Sequence, residues 1–424
     1  MARSNLGFDP DLPEELAVMA SRVLQQVKER WEEIDSLQFY NQHRLLEAFQ
    51  EQRMDESDFL DSSGYGYSDR GREKLENIYA RIFGGERALV RPQIVSGTHA
   101  LAVTLFGLLR PGELLLCLTG PPYDTLQAVI GSRDGGSGGT LTEWGIRHHY
   151  LPVNEEGYPR LDLLDPAWQP RVAYIQRSAG YDLRRRSLTT EEIGELAEEV
   201  RRLYPEAWVV VDNCYGEFAE KREPLETGAD LIAGSLIKNP GGGLARSGGY
   251  VAGKSDLVLR VAGRLTAPGL YDSLGSFQGK RSFFQGLFMA PALVGNAQKN
   301  ALFAAALFEK MGYAVKPRCT DPRTDIVQAI VLGSAEKLLR FCRAVQGASP
   351  VEAYVTPEPG PLPGYEDPVV MAAGTFYQGA TGELTADGPV REPYAVFLQG
   401  GLTLPHALYA TCAAAKALFE PGKS

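Results

Sequence analysis

The sequence predicts an α/β protein in which helices cover both faces of a mostly parallel sheet. Two observations support this fold class. Short, continuous apolar runs such as "ELLLCL", "RVAYIQ" and "AWVVVD" alternate with helical patterns through the middle of the chain, as expected for strands buried on both faces. The chain has 424 residues, which is enough for a large domain and a smaller one, each with its own core.

The first part of the chain is predicted to be helical. Apolar side chains at helical spacing indicate a helix over 12–34 and a second helix over about 36–51. The glycine- and tyrosine-rich stretch "DSSGYGYSDRGREKLE" is typical of a loop that enters a helix near Arg72. We therefore expect an N-terminal helical arm over 1–63.

A large domain is predicted over 64–288. The helix "THALAVTLFGLL" comes first, and the predicted strands are "ELLLCL", "RVAYIQ", "AWVVVD", "LIAGS" and "GYVAG". The helix "TTEEIGELAEEVRRLY" begins with a capping box formed by Thr189 and Glu192. The stretch "GSRDGGSGG" at 131–139 is predicted to be a flexible loop.

A smaller C-terminal α/β domain is predicted over 289–424. A long alanine-rich helix is expected over about 282–312, and a shorter helix near 335–346. The predicted strands are "GYAVKP", "DIVQAIVLG" and "YAVFLQ", and the proline-rich stretch 356–368 indicates a loop.

Composition excludes several classes of function. The 53 acidic residues outnumber the 43 basic ones, and the net charge of −10 argues against a nucleic-acid binder. No apolar stretch is long enough to span a bilayer, and the first residues lack the pattern of a signal peptide. The five scattered cysteines form no CxxC pair, which is typical of reduced thiols. We therefore expect a cytoplasmic protein without a metal site.

Two motifs carry candidate ligand-binding residues, and the second is expected at the carboxyl ends of the strands, where ligands bind. In "VSGTHALAV", Gly97 opens a helix, where backbone N–H groups and the helix dipole favour a phosphate. A tight turn without any ligand would have the same pattern. In "VVVDNCYGEF", Asp212 ends a run of buried valines and needs a cationic partner. A solvated strand end or a helix cap is the alternative for Asp212.

The third motif is "LIAGSLIKNPGGG", in which Lys238 follows a buried strand at the same rim as Asp212. A partly desolvated lysine has a lowered pKa and can act as a nucleophile or base. Ser235 offers a hydroxyl to an anion, and the glycines at 241–243 let the backbone turn away from a ligand. A lone lysine is usually only solvated, so this motif depends on the other two.

Together, the motifs supply a phosphate cradle, an acid for a ring nitrogen and a lysine for an aldehyde. The ligand that needs all three is pyridoxal 5'-phosphate, PLP. The stretch "GPPYDTLQ" places Tyr123 just after a strand, where its ring could stack on the pyridine. The stretch "GGYVAGKS" formally matches a nucleotide P-loop. Its interior is predicted to be a strand, so we expect no P-loop.

With these residues the chain resembles the PLP-dependent fold-type I enzymes of cysteine and methionine metabolism. More narrowly, it resembles the methionine gamma-lyase-like family labelled aluminium resistance protein or cystathionine beta-lyase-like. The landmarks run from about residue 60 to 410 and are "GYGYSDRGREKLE", "IFGGERALVRPQIVSGTHA", "PPYDTL", "VDNCYGEF", "GSLIKNPGGG", "GGYVAGK", "TAPG" and "FLQGGLTLPHA". The resemblance implies a large domain with a mostly parallel seven-stranded sheet and a smaller C-terminal α/β domain.

The resemblance also implies roles for individual residues. Lys238 would form the imine with PLP, and Asp212 would pair with the ring nitrogen. Tyr123 would stack on the ring, and the phosphate would be held by Ser96, Gly97, Thr98 and Ser235. Ile237 stands where better-studied lyases carry a second phosphate-binding hydroxyl.

Other implied roles concern a neighbouring subunit and the substrate. Tyr67 and Arg70 resemble a pair that reaches the phosphate of a neighbouring subunit's cofactor, which implies a homo-oligomer built as a dimer of dimers. Their spacing differs from the family's, so Tyr65 or Arg72 could take the role. Arg391 in "VREPYAVFLQGG" is the first candidate for binding the substrate carboxylate. The alternative role for Arg391 is an ion pair at the surface. Two other arginines, Arg318 and Arg323, compete for binding the carboxylate.

The implied reaction is elimination of a β- or γ-thiol from a sulfur-containing amino acid, which gives a keto acid, ammonia and a thiol. Transamination and side-chain transfer are the enzymatic alternatives. The alternative that involves no PLP-dependent catalysis is a P-loop or adaptor protein.

Overall fold

The structure is a computed structural model that describes residues 11–132, 138–362 and 365–420. Most of the predicted 131–139 loop lies outside these residues. The helices are α1 (Glu14–Glu51), α2 (Arg70–Phe83), α3 (Gly97–Leu108), α4 (Asp124–Ile130), α5 (Thr190–Leu203), α6 (Pro224–Thr227), α7 (Ser255–Leu265), α8 (Lys280–Lys310), α9 (Ala335–Gly347) and α10 (Leu404–Leu418). The strands are β1 (Arg87–Arg91), β2 (Leu114–Cys117), β3 (Arg147–Tyr150), β4 (Val172–Gln176), β5 (Trp208–Asp212), β6 (Leu231–Ser235), β7 (Gly249–Gly253), β8 (Ala314–Lys316), β9 (Val327–Val331), β10 (Val369–Ala372), β11 (Thr385–Pro389) and β12 (Ala395–Gln399).

The chain forms two compact units. One unit extends from Tyr40 to Ala290, and the other joins the chain up to Phe39 with the chain from Pro291 onward. The first unit is built on a sheet with strand order β1-β7-β6-β5-β4-β2-β3. Strands β2 to β6 are parallel, whereas β7 runs antiparallel to both β1 and β6. This confirms the predicted fold class and the predicted seven-stranded, mostly parallel sheet.

The sheet of the first unit is buried because its strands are apolar throughout. Every residue of β2, β4, β6 and β7 is buried, and the core between this sheet and its helices includes Leu105, Leu115, Val210 and Val251. Helix α5 begins with the predicted capping box, in which the side chains of Thr189 and Glu192 each accept the other's backbone N–H. Among the buried strands, the parallel strands β2, β4 and β6 have their carboxyl ends at one rim, where polar residues follow.

The second unit contains a five-stranded sheet of order β10-β11-β12-β9-β8, in which all neighbouring strands are antiparallel. Helices α9 and α10 pack on each other, and their apolar faces join a core that includes Phe341 and Ala414. The first part of α1 contributes Leu16 and Val23 to the same core. The two predicted helices are present as α8 and α9, and the predicted strands as β8, β9 and β12, although the sheet also contains β10 and β11.

The prediction of two N-terminal helices is wrong, because α1 is continuous from Glu14 to Glu51. Asp35 and Ser36 resemble a helix start, but neither interrupts the helix. The Ser36 hydroxyl donates to the carbonyl of Glu32 at 2.9 Å, and Asp35 forms an ion pair with Lys299. Since no glycine or proline lies within this segment, nothing breaks the backbone hydrogen bonds.

Candidate active site

The carboxyl ends of three parallel strands bring the main candidate residues together. Strand β5 ends at Asp212, whose register partner on β4 is Gln176 and on β6 is Ala233. Strand β6 ends two residues later at Ser235, and Lys238 follows it. The prediction that Asp212 and Lys238 lie at one rim of the sheet agrees with this topology.

Asp212 is a buried carboxylate held by two donors. It is 3% exposed. The Tyr174 hydroxyl donates to Oδ2 at 3.3 Å, and the backbone N–H of Cys214 donates to Oδ1 at 3.1 Å. Burial raises the pKa of Asp212, while the charge of Lys238 and these hydrogen bonds act in the opposite direction. Asp212 is therefore positioned as a fixed acceptor for a donor or a cation at this rim.

Lys238 has an aromatic neighbour that the sequence did not suggest. Its Nζ lies 3.8 Å from the centroid of the Tyr215 ring. Burial alone would lower the pKa of Lys238, but Cys214, Tyr215 and Asp212 raise it well above the ordinary lysine value. The expectation of a lowered pKa is therefore wrong for the lysine as it stands here, because the surrounding groups favour its charged form.

The start of α3 has the features of a phosphate cradle. Ser96 caps the helix, and its hydroxyl accepts the N–H of His99 at 3.0 Å. Within the described chain, the N–H groups of Gly97 and Thr98 have no hydrogen-bond acceptor. A Cβ on Gly97 would lie 3.2 Å from the Ser235 Cβ and 3.4 Å from the Cys214 sulfur. Gly97 thus lets the start of α3 approach β6 closely. The N–H groups of Gly97 and Thr98 at this helix start suit an anion.

Tyr123 lies beside this cradle and is fixed at both ends. Its backbone N–H donates to Gln176 Oε1 at 2.9 Å, and its hydroxyl is 3.1 Å from the Thr98 hydroxyl. The Thr98 hydroxyl is also 3.0 Å from that of Thr125. Burial raises the pKa of Tyr123, so its phenol stays neutral. These contacts hold a neutral aromatic ring next to the start of α3, as stacking on a planar ligand requires.

These contacts are a test of whether PLP fits the site. The helix start supplies N–H groups for a phosphate, and β5 supplies a buried carboxylate for a pyridinium nitrogen. Lys238 supplies a primary amine at the same rim. The residues present therefore fit the predicted cofactor.

The other predicted residues are placed elsewhere. Tyr67 is exposed and its ring lies 5.6 Å from that of Tyr65. The Arg70 Nε donates to Asp58 Oδ1 at 2.7 Å. Arg72, the alternative candidate, is buried and donates from Nη1 to two backbone carbonyls, those of Gly66 and Gly275, at 2.8 Å each. Arg72 therefore braces this loop instead of presenting its guanidinium at the surface.

Arg391 lies in the second unit, where its Nη1 forms an ion pair with Asp367 Oδ2 at 2.9 Å. Arg318 is largely exposed, and its Nε lies 3.5 Å from Glu309. The remaining competitor, Arg323, has two buried nitrogens, Nε and Nη1, without a hydrogen-bond partner. Burial lowers the pKa of Arg323 to about 10.

Several residues of the site were missed by sequence reasoning. Tyr174 and Gln176 lie at the end of the apolar strand "RVAYIQ", where polar side chains at a carboxyl end are the available signal. Cys214 and Tyr215 lie inside the motif "VVVDNCYGEF" itself. Their positions beside Lys238 depend on the path of the loop after β5, which the sequence pattern does not show.

Two alternative sites are not supported. The interior of the P-loop-like stretch is strand β7, so the stretch cannot wrap around a nucleotide phosphate. Across residues 11–132, 138–362 and 365–420, no group of three or more His, Cys, Asp or Glu side chains is placed to hold a metal ion. In the same residues no helix is long and apolar enough to cross a membrane.

Comparison with known proteins agrees with this geometry. The protein named "Uncharacterized protein YnbB" of Bacillus subtilis (strain 168) is 46% identical over 391 residues, which cover 92% of this chain and 93% of that protein. A crystal structure of a carbon-sulfur lyase involved in aluminum resistance from Clostridium novyi NT is 41% identical, with a TM-score of 0.92, and covers 96% of this chain and 97% of that one. The pyridoxal-5'-phosphate dependent protein YhfS of Escherichia coli is 19% identical with a TM-score of 0.58 over 90% of this chain and 97% of that one, and shares the fold.

The family model described as methionine gamma-lyase matches residues 16–419. This range includes the cradle at α3, the strand end at Asp212, and Lys238. The match confirms the family that the motifs predicted. The chain belongs to the methionine gamma-lyase family.

Proposed function

We propose that this protein is a PLP-dependent carbon–sulfur lyase that acts on a sulfur-containing amino acid. The observation that carries the proposal is the meeting of three groups at one sheet rim. These are the buried carboxylate of Asp212, the amine of Lys238 and the unpaired N–H groups at the start of α3. Membership of the methionine gamma-lyase family supports the same activity.

PLP supplies an electron sink for a substrate that loses its α proton. In this chain, the N–H groups of Gly97 and Thr98, with the hydroxyl of Ser235, would hold the phosphate. Asp212 would keep a proton on the ring nitrogen, and Tyr123 would cover one face of the ring. Lys238 would hold the cofactor covalently and, once released, carry the proton from the substrate's α carbon.

In the proposed reaction a carbon–sulfur bond breaks, and the sulfur leaves as a thiol with a proton. Water then converts the remaining fragment to a keto acid and ammonia. For each substrate molecule the reaction therefore forms one molecule each of thiol, keto acid and ammonia.

A panel of sulfur amino acids tests this proposal. We expect the purified protein to release keto acid, ammonia and thiol in equal amounts from at least one of methionine, cystathionine and cysteine. Colorimetric assays measure the three products separately. Keto acid formed without ammonia, and only when an amino-group acceptor is present, would indicate transamination and contradict the lyase assignment.

We also propose that the protein is a cytoplasmic homotetramer in which the "GYGYSDRGR" segment completes a neighbouring subunit's site. The support is a rigid loop with an exposed aromatic tip. Tyr65 and Tyr67 are both more than half exposed. Below them Arg72 holds the loop by its backbone carbonyls, and Lys280 forms an ion pair with Asp69 at 2.8 Å.

Arg391 is proposed to bind the α-carboxylate of the substrate. The Arg391 side chain is 44% exposed, and its guanidinium would exchange Asp367 for the carboxylate. We expect Arg391→Ala to weaken binding of a carboxylate inhibitor by about 2–4 kcal/mol, the scale for losing one partner of a charge pair. PLP content should not change. Inhibition constants measure the effect.

Two matched variants complete this experiment. Arg318→Ala removes an exposed guanidinium from the same unit and should leave the inhibition constant unchanged. Arg323→Ala removes the guanidinium whose Nε and Nη1 lack partners. If the inhibitor binds Arg391→Ala normally and Arg323→Ala weakly, the carboxylate role belongs to Arg323.

A further inference from the structure

The loop after β5 contains two aromatic residues with an unusual backbone. Tyr215 has a φ of 72°, and Phe218 has a φ of 60°. The left-handed region is unfavourable for bulky side chains, so surrounding contacts must hold both residues there. Strained residues of this kind cluster at functional sites, and Tyr215 is three residues from Asp212.

A buried arginine holds this loop from below. Arg177 is fully buried. Its Nη1 donates to Asn213 Oδ1 at 2.7 Å, and its Nη2 donates to Glu220 Oε2 at 2.6 Å. A Cβ on Gly216 would lie 2.5 Å from the Arg177 side chain, so the backbone next to Tyr215 packs directly on the arginine. The network therefore fixes the chain on both sides of Tyr215.

The residue after the candidate lysine ties the loop to β6. The Asn239 Nδ2 donates to the carbonyl oxygen of Tyr215 at 2.8 Å and to that of Glu217 at 2.9 Å. Asn239 is itself fully buried. The loop after β5 and the segment that carries Lys238 are thus joined by direct hydrogen bonds, and neither can shift without breaking them.

The consequence is a close contact between a cation and an aromatic face. The Lys238 Nζ lies 3.8 Å from the Tyr215 ring centroid. In the described chain, no carboxylate lies within 4.0 Å of this nitrogen. The other titratable groups that interact with Lys238 include Asp212, Cys214, Tyr123 and Glu217. Among these groups, the Tyr215 ring is the one whose position depends on the left-handed backbone of the loop.

We infer that Tyr215 is a positioning residue that holds the charged amine of Lys238 over its ring whenever the amine is not covalently attached. This inference deepens the proposed function and rests on it, because it concerns the same lysine. The ring keeps a flexible side chain in one place between cycles, and it stabilises the ammonium against the cost of burial. Glu217, buried in the same loop, accepts a hydrogen bond from the Tyr250 hydroxyl at 2.8 Å and interacts with Lys238 through its charge.

The test measures the reactivity of Lys238 in the full-length protein after PLP is removed with a carbonyl reagent. A trace of acetic anhydride labels free amines, and mass spectrometry compares the Lys238 peptide with the peptide of exposed Lys254. At about pH 9, we expect Tyr215→Leu to raise the relative labelling of Lys238 by about tenfold, as for a pKa lowered by about one unit. Tyr215→Phe keeps the ring and should label within about twofold of the unmodified protein.

Phe218→Leu is the matched control, because it removes a ring from the same loop at the same kind of backbone position. It should leave Lys238 labelling unchanged. Tyr215→Asn removes the ring with a residue that tolerates the left-handed region, and it serves if Tyr215→Leu does not fold. Wild-type labelling in the ring-deleted variants, or an increase in Phe218→Leu as large as that in Tyr215→Leu, would overturn the inference. The labelling experiment needs no substrate. A negative result in the lyase assay would therefore contradict the proposed function and leave the test of Tyr215 unaffected.

Discussion

Lys238→Ala is expected to abolish covalent attachment of PLP and to lower turnover by about 10²–10⁴-fold or more, the range for a positioned proton-transfer group. The loss follows from position. Lys238 follows β6 at the rim where Asp212 ends β5. Absorbance of the bound cofactor and release of keto acid measure the two effects.

Two further variants serve as controls: one keeps the positive charge of Lys238 without its primary amine, and the other removes a different lysine. Lys238→Arg keeps the positive charge near Tyr215 but cannot form the covalent link, so its turnover should also be lost. Lys254→Ala removes a lysine just after β7 that pairs with Asp230 at 2.6 Å, and it should retain both absorbance and turnover. Normal cofactor absorbance in Lys238→Ala would show that the protein uses another lysine.

Asp212→Asn is expected to lower kcat/KM by about 10²–10³-fold, the scale for removing one preorganised electrostatic contact. Asparagine nearly matches the shape of aspartate. Its Oδ1 can still accept the N–H of Cys214, and its Nδ2 can donate to the Tyr174 hydroxyl, which reverses the bond that this hydroxyl makes to Asp212. What is lost is the negative charge that, on the proposed role, would keep a proton on the ring nitrogen. Steady-state kinetics measure this effect, and the amount of bound PLP is measured in the same samples.

The control for this variant is Asp230→Asn. Asp230 is equally buried but precedes β6, at the opposite end of the sheet, where it accepts the N–H of Val209 at 2.7 Å. Its replacement should lower the melting temperature and leave turnover of the folded protein within a few-fold. If Asp212→Asn keeps activity within a few-fold as well, the partner of the ring nitrogen is another group.

The parallel strands could be predicted because burial on both faces gives them uninterrupted apolar sequences. Strand β3, "RHHY", lies at the sheet edge and alternates between exposed and partly buried residues, so its sequence has no such signal. Strand β11, "TADGP", contains residues typical of turns and is held in place by its neighbours β10 and β12. Tertiary pairing, not local propensity, determines these two strands.

The candidate site shows the same division. Asp212 and Lys238 could be predicted because the carboxyl ends of parallel strands meet at one rim. The ring of Tyr215 over Lys238 could not be predicted. It depends on a left-handed backbone that Arg177 and Asn239 stabilise from distant parts of the chain. Burial lowers the pKa of Lys238, and the neighbouring groups in that arrangement, Cys214, Tyr215 and Asp212, raise it beyond that effect.

The central claim is that Lys238 holds the cofactor at this rim, and chemical reduction of the holoenzyme tests it most directly. Borohydride fixes the link between PLP and its lysine, and peptide mapping by mass spectrometry identifies the modified residue. The account predicts a single pyridoxyl group, on the peptide that contains Lys238. A pyridoxyl group on another lysine, or a protein that contains PLP but yields no modified lysine, would contradict it.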